Sequence, residues 1–327
     1  MKLNYLKALS IQACNNLSQI PSEAMHVRRQ RKCANFLRYA VDSDDLSMAL
    51  NKANFCKQRS CPICCWLRSA KIRMRIFRGL PTLLQDYEGY HFLLLTLTVR
   101  NCNIGELRST VRSMEQAWHR LVNLPGFPAI GSLKTVEVTR PYDCFYAGQF
   151  IGRMSSKVIK GLFKELEKTP LWNPLLWREY FCEEVHPHIH CMLMVSPSYF
   201  EPLEYIDHPR WCALWKRAAR LNYTPVVDIR KIDHLDNAVF EVSKYCFKVS
   251  EMVDLLGCLA VRRLHGLRLF SVGGAFNDYF SQAALDAIEA TAELGNEQFQ
   301  QGVPLEYQWN GYKYDLIRLG QLEWELG

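Results

Sequence analysis

The period of apolar and polar positions changes several times along the chain, and each change predicts an element. Residues 92–99, Phe-Leu-Leu-Leu-Thr-Leu-Thr-Val, make a strand-sized apolar run, so a strand is expected over 91–99. Between 104 and 124 the residues Leu107, Val111, Met114, Trp118 and Leu121 recur every three or four positions. That is the period of an amphipathic helix, here ended by Pro125-Gly126. Further strands are expected at 133–139, 188–195 and 226–231. Further helices are expected over 66–80, ended by Gly79 and Pro81, and over 157–168, 209–221, 237–249 and 283–294. Residues 37–54 read as a helix or a hairpin, and Gly273-Gly274 as a turn. The first twenty or so residues read as a loose lead-in, and 152–180 as an insertion between two strands of one sheet. The last 45 or so carry no readable motif. No internal repeat or low-complexity tract occurs.

Composition narrows the class. A hydrophobic fraction of 49% and a mean hydropathy of −0.15 over 327 residues are those of a globular chain. No apolar run approaches the roughly 18–20 residues of a membrane helix, and no apolar stretch follows Lys2 and Lys7, so a cytoplasmic protein is expected. The net charge of +7 is uneven. Residues 26–78 hold 13 Lys/Arg against 3 Asp/Glu, whereas 281–327 hold 2 against 8. A basic N-terminal region suits a polyanion such as DNA, although a solvated surface would look the same. Thirteen cysteines, an odd number, with no export signal argue against a disulfide framework. Cys14, Cys102, Cys144, Cys182, Cys212 and Cys258 have no informative spacing and read as small buried residues.

Three constellations carry candidate chemistry. His188 and His190 in His186-Pro187-His188-Ile189-His190 lie two apart in an expected strand, so both imidazoles face the same way and can serve one divalent ion. Two histidines on an edge strand would show the same spacing. Glu137 sits mid-strand between Val136 and Val138, where a carboxylate is out of place unless partnered, and is the candidate third ligand. Glu241, Tyr245 and Lys248 lie at i, i+4 and i+7 on one helix face. A tyrosine hydroxyl can attack a phosphorus polarised by metal. A lysine beside it could stabilise the developing charge, and a glutamate could serve as base for water. An ordinary amphipathic helix also carries such pairs. Finally, Cys33, Cys56, Cys61 and Cys64, with Cys61-Pro62-Ile63-Cys64 as a C-x2-C knuckle, suit a structural Zn²⁺ with Cys65 outside its shell. A redox role lacks the surrounding βαβ pattern.

In this order the motifs resemble the Rep proteins of rolling-circle plasmids, within the HUH endonuclease superfamily. The resemblance is carried by 54–64 around the cysteines, the strand 92–99, His186-Pro187-His188-Ile189-His190, and Tyr245-Cys246-Phe247-Lys248, and covers about residues 30–280. It implies an α+β fold with a central antiparallel sheet flanked by helices, following an N-terminal zinc-binding segment. It implies three regions: 1–85, basic, cysteine-rich and zinc-binding; 86–250, the endonuclease domain; and 251–327, an extension of unknown role. It further implies Mg²⁺ or Mn²⁺ on Glu137, His188 and His190. Tyr245 would attack a phosphodiester of the plasmid origin, leaving a 5′-phosphotyrosyl link and a free 3′-OH, with Glu241 activating water at termination. Origin DNA, host helicase and host polymerase are the implied partners. The interval between Glu137 and His188 is long for the family. A non-catalytic zinc DNA-binding regulator, and a transposase or relaxase of the same superfamily, stay open as alternatives.

Overall fold

The computed structural model describes residues 2–41, 48–169, 173–243, 251, 253–281 and 303–319. In chain order the helices are α1 (Lys2–Leu17), α2 (Ala24–Arg31), α3 (Pro62–Asp86), α4 (Leu107–Val122), α5 (Ser156–Leu166), α6 (His208–Ala219), α7 (Leu235–Val242), α8 (Leu255–Arg263) and α9 (Asn277–Phe280). The strands are β1 (Phe36–Val41), β2 (Met48–Ala53), β3 (His91–Thr98), β4 (Cys102–Asn103), β5 (Ala129–Thr139), β6 (Tyr142–Tyr146) and β7 (Gln149–Met154). They continue with β8 (Trp177–Phe181), β9 (Glu184–Val195), β10 (Val227–Lys231), β11 (Phe270–Gly274), β12 (Val303–Trp309) and β13 (Tyr314–Leu319). The fold is α+β, with antiparallel sheets flanked by helices. The chain divides into two compact units, 1–83 with 252–258 and 277–327, and 84–251 with 259–276. The stretch 251–327 is therefore shared between both units.

The larger unit is built on the sheet β10-β3-β9-β5-β11, with β4 beside β9. Every pairing is antiparallel. Strand β9 lies centrally, with Ile189, Cys191 and Leu193 fully buried. Period-two alternation splits its residues between faces. The Cys191 face carries Lys134, whose ammonium pairs with Glu115 of α4 and lies 6.0 Å from the Trp118 ring. Helix α6 packs against α4, with Arg120 Nε donating to Ala218 O at 2.6 Å; its Trp211 and Trp215 are fully buried, and the Trp215 indole donates to Thr98 O at 2.8 Å. The His190 face looks toward α7.

The insertion between β5 and β9 contains more than the expected helix. A three-stranded sheet, β7-β6-β8, packs on α5 around Cys144, Ile159 and Trp177. Its strands are short and a register shift falls between Cys144 and Phe145, so no single sequence window alternates long enough to announce them.

The smaller unit carries the sheet β13-β12-β1-β2. The described residues of 37–54 therefore form two paired antiparallel strands, β1 and β2, rather than the helix. The expected lead-in is α1. Its buried stripe, Leu6, Ser10, Ala13, Cys14 and Leu17, has helical spacing but is made largely of small or polar residues. The tail that reads as featureless supplies β12 and β13, and β12 pairs with β1 from Phe36↔Gln308 to Val41↔Val303. Arg38 Nε donates to Glu306 at 2.7 Å across that pairing. The helix expected over 283–294 lies outside the described residues.

Helix α3 runs past its expected stop and contains Pro81. Gly79 is a packing position, not a terminator: a Cβ there would lie 2.3 Å from Tyr279 O and 2.9 Å from the Phe280 ring. Gly79→Ala is therefore expected to destabilise this unit by about 1–3 kcal/mol despite alanine's better helix propensity. Urea unfolding of the two proteins checks this; equal midpoints would mean that the helix does not approach Tyr279 so closely.

Candidate functional site

Glu137 stands directly opposite His188 on β9, and His190 opposite both Thr135 of β5 and Thr96 of β3. Residues opposite one another share a face, so register alone brings the carboxylate and the two imidazoles together. The Glu137 Oε2 atom lies 2.9 Å from His190 Nε2 and 3.3 Å from His188 Nε2. All three residues are buried, and their ligand atoms lie within 4.8 Å of one another. Burial by itself would raise the Glu137 carboxyl, but the two imidazoles outweigh it and hold the group well below the usual carboxylate range.

The far nitrogens of the two rings are fixed from behind. His188 Nδ1 donates to His186 O at 3.2 Å, and His190 Nδ1 lies 3.0 Å from Thr96 Oγ1. With its Nδ1 proton committed to a carbonyl, His188 points an Nε2 lone pair at the Glu137 oxygen. Two acceptors at that distance repel unless a second proton or a cation lies between them. Two imidazoles and one carboxylate converging on one point are a donor set that suits a divalent ion. Thr96 was not predicted. Its only sequence signal is the polar position it occupies in the alternating end of the strand 91–99.

Helix α7 brings Glu241 to the same place, with Oε1 3.6 Å from His190 Nε2. The helix borders a cavity of about 280 Å³ lined by Leu94, Arg230, Lys231, His234, Asn237 and Glu241. Tyr245 and Lys248 lie outside the described residues. The last described residue before them is Ser243, and the next after them is Glu251, whose carboxylate accepts from Arg140 N at 3.3 Å. Arg140 stands three residues after Glu137 on the same chain segment, and both Arg140 and Glu251 are buried.

The smaller unit gathers four sulfurs. Cys33 follows α2, Cys56 follows β2, and Cys61 and Cys64 flank the start of α3. The pairs Cys33–Cys61, Cys33–Cys64 and Cys56–Cys64 are each 3.6 Å apart. Tetrahedral thiolates at about 2.3 Å from zinc would be about 3.8 Å apart, whereas a disulfide needs about 2.05 Å. Thiol donation from Cys33, Cys56 and Cys64 pushes Cys61 well below its ordinary value, so the cluster favours thiolate there. Cys65 points elsewhere, donating to Arg59 O at 2.8 Å. No sequence signal marks Lys7 of α1, which is 1% exposed and donates to Cys33 O at 2.6 Å, Asn35 Oδ1 at 2.6 Å and Arg31 O at 3.0 Å. Burial lowers its ammonium pKa, while the neighbouring cysteines act in the opposite direction.

A family model described as replication protein matches residues 47–315. A protein rep of Streptococcus pneumoniae serotype 2 (strain D39) is 26% identical over 323 residues, covering 94% of this chain and 88% of that one. A protein rep of a Bacillus species is 28% identical, covering 76% and 79%. One from Staphylococcus aureus is 27% identical, covering 67% and 80%. No solved structure gives a significant match. No described helix is long and apolar enough to cross a membrane.

Proposed function

Because the chain belongs to this replication protein family, the Rep initiators of rolling-circle plasmids, we propose that it nicks one strand of origin DNA through Tyr245, with a divalent ion held by Glu137, His188 and His190. One observation carries the reading: a buried carboxylate shared by two imidazoles whose outer nitrogens are committed elsewhere, with Glu241 at its edge. A bound Mg²⁺ or Mn²⁺ would polarise a phosphate oxygen and offset charge in the transition state.

The remaining work falls to side chains of this chain. The Tyr245 oxygen bonds to phosphorus as the P–O3′ bond breaks; tyrosine loses its proton and the 3′-oxygen gains one. The products are a 5′-phosphotyrosyl link and a 3′-OH that host polymerase can extend. The Lys248 ammonium stabilises the phosphoryl oxygens. The link conserves the phosphodiester energy, so rejoining needs no ATP. In a hydrolytic finish, Glu241 takes a proton from water. Cys33, Cys56, Cys61 and Cys64 hold a structural Zn²⁺, and the basic stretch around them meets DNA phosphates. Host helicase is the further partner of this reading, and the cytoplasm its setting.

The test is covalent capture. Purified protein is incubated with Mn²⁺ and labelled single-stranded DNA from its own plasmid, then denatured and run on a gel. A labelled protein band that requires metal is expected. Its absence, with folded protein and origin DNA present, would favour the non-catalytic zinc DNA-binding regulator. Glu137→Gln keeps the side-chain shape but removes the anionic ligand. It is expected to weaken Mn²⁺ binding by at least about tenfold in titration calorimetry; unchanged affinity would place the ion elsewhere.

A further inference from the structure

The small sheet β7-β6-β8 between the strands of Glu137 and His188 has no part in the chemistry above. One face is filled: Cys144, Trp177, Tyr142, Tyr146 and Met154 pack with Ile159, Leu162 and Phe163 of α5. The other face follows from register. Asp143 stands opposite Arg153 and Tyr180, and Phe145 opposite Phe150 and Arg178. Residues opposite one another share a face, so Phe145, Phe150 and Tyr180 lie together with two arginines among them. The Phe145 ring centroid is 5.4 Å from Phe150 and 5.8 Å from Tyr180, both edge-to-face. Phe150 is 58% and Tyr180 60% exposed. Outward positions of a sheet with one covered face are ordinarily polar, and the core on the α5 side is complete without these rings.

We propose that this face is a stacking platform for the single-stranded DNA that flanks the cleaved phosphodiester, a proposal that rests on the nicking function. Three observations choose the occupant. Clustered, half-exposed aromatic rings offer π-faces to bases of any sequence, and the exposed Arg178 beside them suits a phosphate that accompanies them. The sheet also grows out of the strands of the candidate site. Strand β5 passes from Glu137 to Thr139 and, after Arg140-Pro141, becomes β6 at Tyr142. Strand β8 ends at Phe181, and β9 begins at Glu184, four residues before His188. Finally, Arg153 anchors the outer strand to that junction, with Nε 2.7 Å from Asp143 and Nη1 2.9 Å from Glu184. DNA leaving the metal site along these strands meets the rings within a few nucleotides.

The experiment uses the full chain and a fluorescein-labelled oligothymidylate of about 20 nucleotides, which cannot pair with itself, read by anisotropy at several salt concentrations. The double variant Phe150→Leu/Tyr180→Leu keeps apolar bulk and removes the rings. Its Kd is expected to rise at least about tenfold, with the slope of log Kd against log salt unchanged because no phosphate contact is lost. Phe150→Tyr/Tyr180→Phe is expected to restore binding. Thermal melting of each variant separates loss of the face from loss of the fold, and the conservative pair carries the test if the leucine pair fails to fold: it must then bind like the wild type. Unchanged affinity in a folded leucine variant, or no oligonucleotide binding by the wild type, overturns the platform. A variant with unchanged affinity but altered self-association in sedimentation overturns it too, and makes the face a contact between copies. The nicking function is read separately from the covalent band. A wild-type band with unaltered variant affinity sinks the platform alone, and lost affinity without any wild-type band sinks the nicking function alone.

Discussion

A Tyr245→Phe protein is expected to bind origin DNA as the wild type does and to form no covalent adduct. One hydroxyl is removed, no charge changes, and the ring remains, so folding and phosphate contacts should be preserved. What disappears is the oxygen that bonds to phosphorus. Losing a nucleophile that works together with its neighbours costs about 10⁴–10⁶ in rate, far more than losing one stabilising donor. Glu241→Gln should behave differently, leaving the first covalent step in place and slowing a hydrolytic finish, so the adduct accumulates instead of vanishing. The pair of variants therefore separates attack by tyrosine from attack by water. Two gels decide it: a denaturing gel for the adduct and a native gel for binding. A Tyr245→Phe protein that still cleaves at the wild-type rate would remove tyrosine from the chemistry and leave water activated at Glu241 as the remaining nucleophile.

Which parts of this site could be read beforehand depended on whether the information was local. His188 and His190 are visible because a period of two states which side chains share a face. Glu137 is visible because a lone carboxylate between two valines is out of place. Their adjacency is not local. Nothing in 133–139 says that this strand lies beside 188–195, and the pairing Glu137↔His188 spans the whole insertion. Thr96 reaches His190 from a third strand, and Lys7 reaches the cysteines from a helix whose buried face is partly serine, alanine and cysteine. Such contacts depend on tertiary register, which residue periodicity does not encode. Pro81 shows the opposite failure, where a strong local stop signal is overridden because Gly79, Leu80 and Leu83 are buried by packing. The β12–β13 hairpin lies in a tail with no readable motif, and the strand it pairs with, β1, lies at the other end of the chain.

Removing the proposed zinc is expected to unfold the cysteine-bearing unit, because that ion would tie together Cys33 after α2, Cys56 after β2, and Cys61 and Cys64 at the start of α3. Sulfurs 3.6 Å apart are too distant for a disulfide and spaced as thiolates around one tetrahedral ion. A zinc ion with four thiolates carries a net charge of about −2, which in a buried place requires compensation. Two sources of it are present: Cys56 N–H donates to Cys33 Sγ at 3.3 Å, and the buried Lys7 ammonium sits on the Cys33 carbonyl. Structural zinc contributes about 10–16 kcal/mol in small metal-folded peptides, comparable with the whole 5–15 kcal/mol or so that holds an ordinary domain together. One zinc per chain is therefore expected by atomic absorption in the purified protein, and none in Cys61→Ser. A zinc-selective chelator should lower the first thermal transition of the wild type and leave that of Cys61→Ser unmoved. Excess Mn²⁺ should not reverse the loss, since thiolates prefer the softer ion, whereas it would serve Glu137, His188 and His190. Protein that is free of zinc as purified and melts identically with and without chelator would leave the four cysteines as packing residues, and the basic unit would then owe its shape to α1, α3 and the β12–β1 pairing alone.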